Sequence, residues 1–101
     1  MTDSPAHAFT PETVLVAARD QVSAEVEGEA VILNLADGVY YGLDGVGARV
    51  WELLRRPRSV AELRDALTAE YDVDPDTAWR DLLVLLGELA ERRLVEPAAA
   101  E

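Results

Sequence analysis

The apolar pattern of this chain changes period once, close to Asp44, and that change restricts the fold more than any other feature. Before it, Val22, Ala24 and Val26 alternate with Ser23, Glu25 and Glu27, the period of two that marks a half-buried strand. Glu27-Gly28-Glu29 reads as a turn, and Ala30-Val31-Ile32-Leu33-Asn34-Leu35 runs almost wholly apolar. Asp37-Gly38 is a strong hairpin signal, since both residue types accept the positive φ of a tight turn. Val39-Tyr40-Tyr41-Gly42-Leu43 then supplies a third strand of branched and aromatic residues. Three strands joined by short turns make an antiparallel meander, and Val14 to Ala17 is a candidate for one short extra strand.

After Asp44 the spacing becomes helical. Asp44 is placed to cap a helix through Arg55, with Val46, Val50, Trp51, Leu53 and Leu54 on one broad face, and Pro57 stops it. Ser59-Val60-Ala61-Glu62 fits a capping box, in which hydroxyl and carboxylate satisfy free amides reciprocally. The helix it opens carries Val60, Leu63, Ala66, Leu67 and Glu70 into Tyr71. Asp74-Pro75 opens a last helix to about Arg93, with an acid at the cap and proline in the first turn. The expected class is α+β, a three-stranded antiparallel sheet followed by three helices (β-β-β-α-α-α). Residues 1–13 lack periodicity and are expected to form a loose N-terminal segment, 14–96 one domain, and 97–101 a loose tail.

Charge and composition narrow the function. Nine basic against twenty acidic residues leave a net charge of −11, which disfavours nucleic acid and anionic membranes, both of which call for basic footprints. The only basic cluster, Arg55-Arg56-Arg58, sits at a helix end and not along a recognition helix, which argues against a transcription factor. With no cysteine there is no disulfide, thiolate nucleophile or sulfur-held metal. No apolar run approaches the roughly 20 residues of a membrane span, and no signal-peptide core follows Met1, so a cytoplasmic protein is expected. Asp72, Asp74 and Asp76 imitate the start of a calcium loop, but Thr77 and Leu83 stand where its glycine and bidentate glutamate belong. His7 is the only histidine and lies in the N-terminal segment, so no Ser-His-Asp site forms on the folded scaffold. Asp3-Ser4 precedes Pro5 in that same segment and does not resemble the serine of an acyl carrier protein. No enzyme activity, metal or cofactor is expected.

Two features point to binding. On a helical wheel Ala78, Leu82, Leu85 and Leu89 form one stripe and Trp79, Leu83, Leu86 and Ala90 an adjoining one. Together they sweep about 160°, against the roughly 100° a one-sided surface helix needs. Either the helix is sunk in the core, or one stripe packs on the sheet while the other lines a groove. Meanwhile the strand over 39–43 carries no Lys, Pro or charge to protect it as an edge. An extended peptide would complete that edge and use the groove for specificity; the N-terminal segment or a second copy would also cover it.

Gly38-Val39-Tyr40-Tyr41-Gly42-Leu43-Asp44, then Val46-Gly47-Ala48-Arg49-Val50-Trp51-Glu52-Leu53-Leu54, resemble the PqqD family. So do Val60-Ala61-Glu62-Leu63 and the run from Tyr71-Asp72-Val73-Asp74-Pro75 into Arg80-Asp81-Leu82-Leu83. The resemblance covers roughly Gln21 to Glu96 and implies a winged-helix-like domain that binds the leader of a ribosomally made precursor peptide. The leader would add as a strand beside the third strand and under the third helix. Free-standing members of this length resemble the B1-type recognition elements of lasso-peptide biosynthesis. Those present the precursor to a separate cysteine-protease-like leader peptidase and a separate cyclase. The alternative within the family is the pyrroloquinoline quinone pathway's namesake, which serves a radical enzyme. Carried onto this sequence, the resemblance assigns the strand role to Val39, Tyr40, Tyr41, Gly42 and Leu43. It assigns the groove role to Trp79, Leu82, Leu83 and Leu86, and places Asp81 to meet a basic leader residue. Tyr71 and Trp51 read as core. The net negative charge suits both steering of a Lys-rich leader and simple solubility.

Overall fold

The computed structural model describes residues 9–98. Its elements are β1 (Val14–Ala17), β2 (Gln21–Val26), β3 (Glu29–Asn34), β4 (Val39–Asp44), α1 (Gly45–Leu53), β5 (Arg58–Ser59), α2 (Val60–Glu70), α3 (Pro75–Glu91) and β6 (Val95–Pro97). The expected meander is present, with β2, β3 and β4 antiparallel in that order and three helices after it. The candidate extra strand is real but belongs elsewhere: β1 lies between β5 and β6 in a second antiparallel sheet. Strands of two and three residues carry too little pattern to be read from sequence.

That second sheet ties both ends of the described chain to the domain. Pro97, placed by sequence in a loose tail, ends β6, and the Ala98 amide donates to the Val14 carbonyl at 2.9 Å. Phe9 packs on the core, and the amides of Val60 and Ala61 donate to Thr13 (2.9 Å) and Pro11 (3.0 Å) carbonyls. Residues 9–13 are therefore fastened to the start of α2. His7, Asp3 and Ser4 lie outside the described residues.

The β2–β3 connection is a two-residue turn with positive φ at both Glu27 (53°) and Gly28 (83°), the geometry that follows strand twist. The β3–β4 connection is longer than a two-residue hairpin at Asp37-Gly38. Leu35 to Gly38 form a four-residue loop closed by Asn34 and Val39, with Gly38 at φ 73°.

One expectation is reversed. The half-buried pattern of β2 would turn its valines inward, yet Val22 is 58 % and Val26 55 % exposed. Ser23 takes the inner side because the fully buried Trp51 indole needs an acceptor, and its Nε1 donates to Ser23 Oγ at 3.1 Å. Alternation was legible, but which face was inside was decided by one polar contact.

The core gathers Ala30 and Ile32 of β3, Val50 and Trp51 of α1, Leu63 and Leu67 of α2, and Leu82, Leu86 and Leu89 of α3. Helix starts follow the sequence signals. Ser59 Oγ accepts from the Glu62 amide (3.1 Å) while Glu62 Oε1 accepts from the Ser59 amide (2.9 Å). Asp74 Oδ1 accepts from the Thr77 amide at 2.7 Å, with Pro75 in the first turn. Asp44 occupies the N-cap of α1, but its side chain makes no capping bond. α3 ends in a Schellman arrangement, the Leu94 amide donating to Leu89 (2.9 Å) and the Arg93 amide to Ala90 (3.0 Å). Arg93 takes the left-handed position at φ 59° that glycine usually fills.

Candidate functional site: an open sheet edge beside an apolar trough

β4 is an edge strand, and the turn at Glu27-Gly28 determines which of its backbone groups are free. In such a turn the Glu29 amide bonds back to the Val26 carbonyl, so Glu29, Val31 and Leu33 bond toward β2. Ala30, Ile32 and Asn34 then bond toward β4, where their partners are Leu43, Tyr41 and Val39. The amides and carbonyls of Tyr40 and Gly42, with the Asp44 amide, are left directed away from the sheet. A β-carbon built on Gly42 would meet nothing within 4 Å, so the outer face of the strand is open at this position.

α3 flanks the edge without closing on it. Its close neighbours are α2 and β6, and a trough remains between it and β4. At one end the trough is lined by Tyr41, Gly42 and Leu43 of β4 and by Leu85, Glu88, Leu89 and Arg92 along α3. Leu85 also borders a second hollow, of about 120 Å³, between α1, α2 and α3, bounded by Val46, Tyr71, Val73, Asp81 and Leu82 among others. An apolar cavity of ~150 Å³ holds a benzene ring, so this hollow has room for one aliphatic or small cyclic side chain.

Charges mark the trough's ends. Asp81 stands at the hollow, and Arg92 stands over the Tyr41 ring at 5.3 Å from its centroid. The Arg92 end is held by Asn34, which is 3 % exposed and bonded at both ends of its amide: its Nδ2 donates to the Arg92 carbonyl and its Oδ1 accepts from the Ala36 amide, both at 2.8 Å. The far side of the frame is braced by Arg49, which forks onto both carboxylate oxygens of Glu70 (2.8 and 2.7 Å) and reaches Glu52 at 3.0 Å. That pairing holds the Glu70 carboxyl below its ordinary value and raises the arginine.

The structure brings together some of the sequence-assigned residues and separates others. Tyr41, Gly42 and Leu43 line the trough, Asp81 and Leu82 line the hollow, and Val39 (44 %) and Tyr40 (68 % exposed) stand free on the edge strand. Trp79 is on the opposite flank, its ring 5.8 Å from the Arg64 guanidinium of α2, and Leu83 follows one turn later. Leu86 is completely buried and has no surface for a ligand. The stripe on the trough is therefore the one expected to pack on the sheet, with Leu85, Glu88, Leu89 and Arg92 taking the places given to Trp79, Leu83 and Leu86. The wheel shows two stripes but not which of them α2 covers. Trp51 is core as expected at 1 % exposure, whereas Tyr71 is 37 % exposed and forms the hollow's rim. Among the described residues no group of His, Cys, Asp or Glu is arranged to hold a metal, and no helix is long and apolar enough to cross a membrane.

The family model of coenzyme PQQ synthesis protein D (PqqD) matches residues 29–95. Among solved structures, TbiB1 in complex with the TbiA(beta) leader peptide is 42 % identical, with a TM-score of 0.78 over 84 % of this chain and 99 % of that one. Lasso peptide synthetase B1 complexed with the leader peptide is 26 % identical, with a TM-score of 0.73 over 82 % of this chain and 98 % of that one. The PqqD truncation of Methylobacterium extorquens PqqCD, described as a stand-alone RiPP recognition element, is 25 % identical, with a TM-score of 0.74 over 92 % and 99 %. No curated protein gives a significant match.

Proposed function

This chain belongs to the PqqD family, and from that premise we propose that it is a non-catalytic carrier for the leader segment of a ribosomally made precursor peptide. The leader adds as a strand to β4 and bonds the outward groups of Tyr40 and Gly42, with its side chains alternating between the trough and the outer face. An apolar leader residue sits against Leu85 and Leu89, and a second fills the hollow beside Tyr71. Asp81 pairs with a basic leader residue at that end. The family resemblance implies that a tyrosine and a proline of the leader supply the anchors. The carrier then presents the precursor to a separate leader peptidase and a cyclase in lasso-peptide biosynthesis. The observation that carries this reading is the conjunction of an unpaired β4 edge with a trough that α3 leaves open.

A role in pyrroloquinoline quinone maturation is the second reading, favoured by the family model itself. The lasso reading is preferred because the two neighbours solved with a leader peptide are 42 % and 26 % identical, and one of them is a lasso peptide synthetase B1. The test is titration of a fluorescent leader peptide against wild type and Leu85→Asp, with thermal melts in parallel. A charge at the trough's centre is expected to abolish binding while the domain stays folded. Equal affinity of the two folded proteins contradicts the assignment.

A further inference from the structure

Arg92 is the one cation among the residues that line the trough and the hollow, in a chain whose net charge is −11. It is exposed, and its guanidinium lies over the Tyr41 ring at 5.3 Å from the centroid. No ion pair engages it among the described residues, although Glu88 stands one turn earlier on the same wall. The ring holds the guanidinium in place, and Asn34 fixes the backbone beneath it through the Arg92 carbonyl. A planar fork held in this way, with no carboxylate on it, is suited to receive one.

The sheet register gives that carboxylate a place in the leader. A strand added to β4 bonds the outward groups of Tyr40 and Gly42, so Tyr41 and Leu43 stand opposite its non-bonded positions. Side chains directly opposite one another share a face. Tyr41 and Leu43 line the trough, so the leader residues opposite them enter it. The residue opposite Tyr41 comes against Arg92. The one opposite Leu43, two residues away, comes against Leu85 and Leu89. The spacings agree. Four helical residues from Glu88 to Arg92 rise about 6 Å, and two strand residues about 6.6 Å. Glu88 repels an acid placed nearer Leu43, which leaves the Tyr41 position to it.

We propose that Arg92 determines specificity: it takes an Asp or Glu side chain two residues from the leader's apolar trough anchor and so sets the register of the added strand. The proposal rests on the carrier reading above and names the chemistry that this site selects. A leader slipped by one residue turns both side chains out of the trough. A slip of two brings either the acid to Leu85 and Leu89 or the apolar anchor to Arg92.

The test uses synthetic peptides copied from the leader of the precursor encoded beside this chain, each with one residue replaced by lysine. They are titrated by fluorescence polarisation against wild type, Arg92→Gln and Arg92→Glu, with thermal melts in parallel. At one acidic position lysine is expected to weaken binding to wild type about tenfold or more, and Arg92→Glu to recover that loss. The same position lies two residues from an apolar one whose truncation to alanine also weakens binding. A merely structural role for Arg92 would not produce recovery by reversed charge. Peptides that rank identically against wild type and both folded variants overturn the proposal and leave the carrier reading standing. So does a leader that binds wild type but has no acid two residues from an apolar anchor. A wild-type protein that fails to bind the native leader overturns the carrier reading itself, and this proposal with it.

Discussion

Asn34 shows how much a single polar side chain organises here. It falls in a stretch that reads as almost wholly apolar, yet it is buried with each end of its amide bonded, one to the Arg92 carbonyl at the end of α3 and one to the Ala36 amide in the β3–β4 loop. It therefore sets the separation of α3 from the sheet where the trough opens. Asn34→Leu keeps the volume but removes both hydrogen bonds, at a cost of about 1–3 kcal/mol for the two together. Chemical denaturation is expected to show that loss, and a variant as stable as wild type would remove Asn34 from this role. Ser23 is the parallel case. Its contact with the Trp51 indole turns the polar side of β2 inward, and no periodicity rule weighs one buried N–H against three apolar side chains.

At the scale of elements, the sequence was most legible where local chemistry is decisive. The Ser59–Glu62 box and the Asp74-Pro75 start are both observed as hydrogen-bonded caps. What stayed hidden depends on partners distant in the chain: β5 and β6 exist because β1 pairs with both, and the open stripe of α3 is defined by where α2 lies. The edge strand itself was legible, but the direction of its amides was not. That direction comes from the two-residue turn at Glu27-Gly28, propagated through two register relations. Because the Gly42 amide points outward, Gly42→Pro is compatible with the sheet, as proline is on an edge. It removes one donor worth about 1 kcal/mol net and places a ring in the leader's path. Circular dichroism is expected to stay native while leader affinity falls about tenfold or more. Loss of the fold instead would show that the amide bonds to β3.

For the molecule as a whole, one carboxylate ties α1 to α2 and another caps α3, and this gives stability a pH dependence. Glu70 is held below its ordinary 4.5 first by the hydrogen bond from Arg49, and Asp74 below 3.8 first by the Thr77 amide. In both cases the ionised form favours the fold. Their contribution is complete above those ordinary values and is lost as the pH falls through the lower folded ones. Both groups are at the surface, so the effect is modest. The melting temperature is expected to drop below about pH 4.5, the ordinary Glu70 value, and Glu70→Gln should flatten part of that drop. An identical acid limb in the variant would rule out the Arg49–Glu70 pair as its source.

Strand completion can be tested most directly by hydrogen exchange, amide by amide, along β4 with and without a saturating leader peptide. The account predicts that the Tyr40 and Gly42 amides, exposed in the free protein, become protected on binding. Tyr41 and Leu43, already turned toward β3, should change little. Protection that leaves Tyr40 and Gly42 as they were, or that appears on Ser23 and Glu25 of β2 instead, would contradict it.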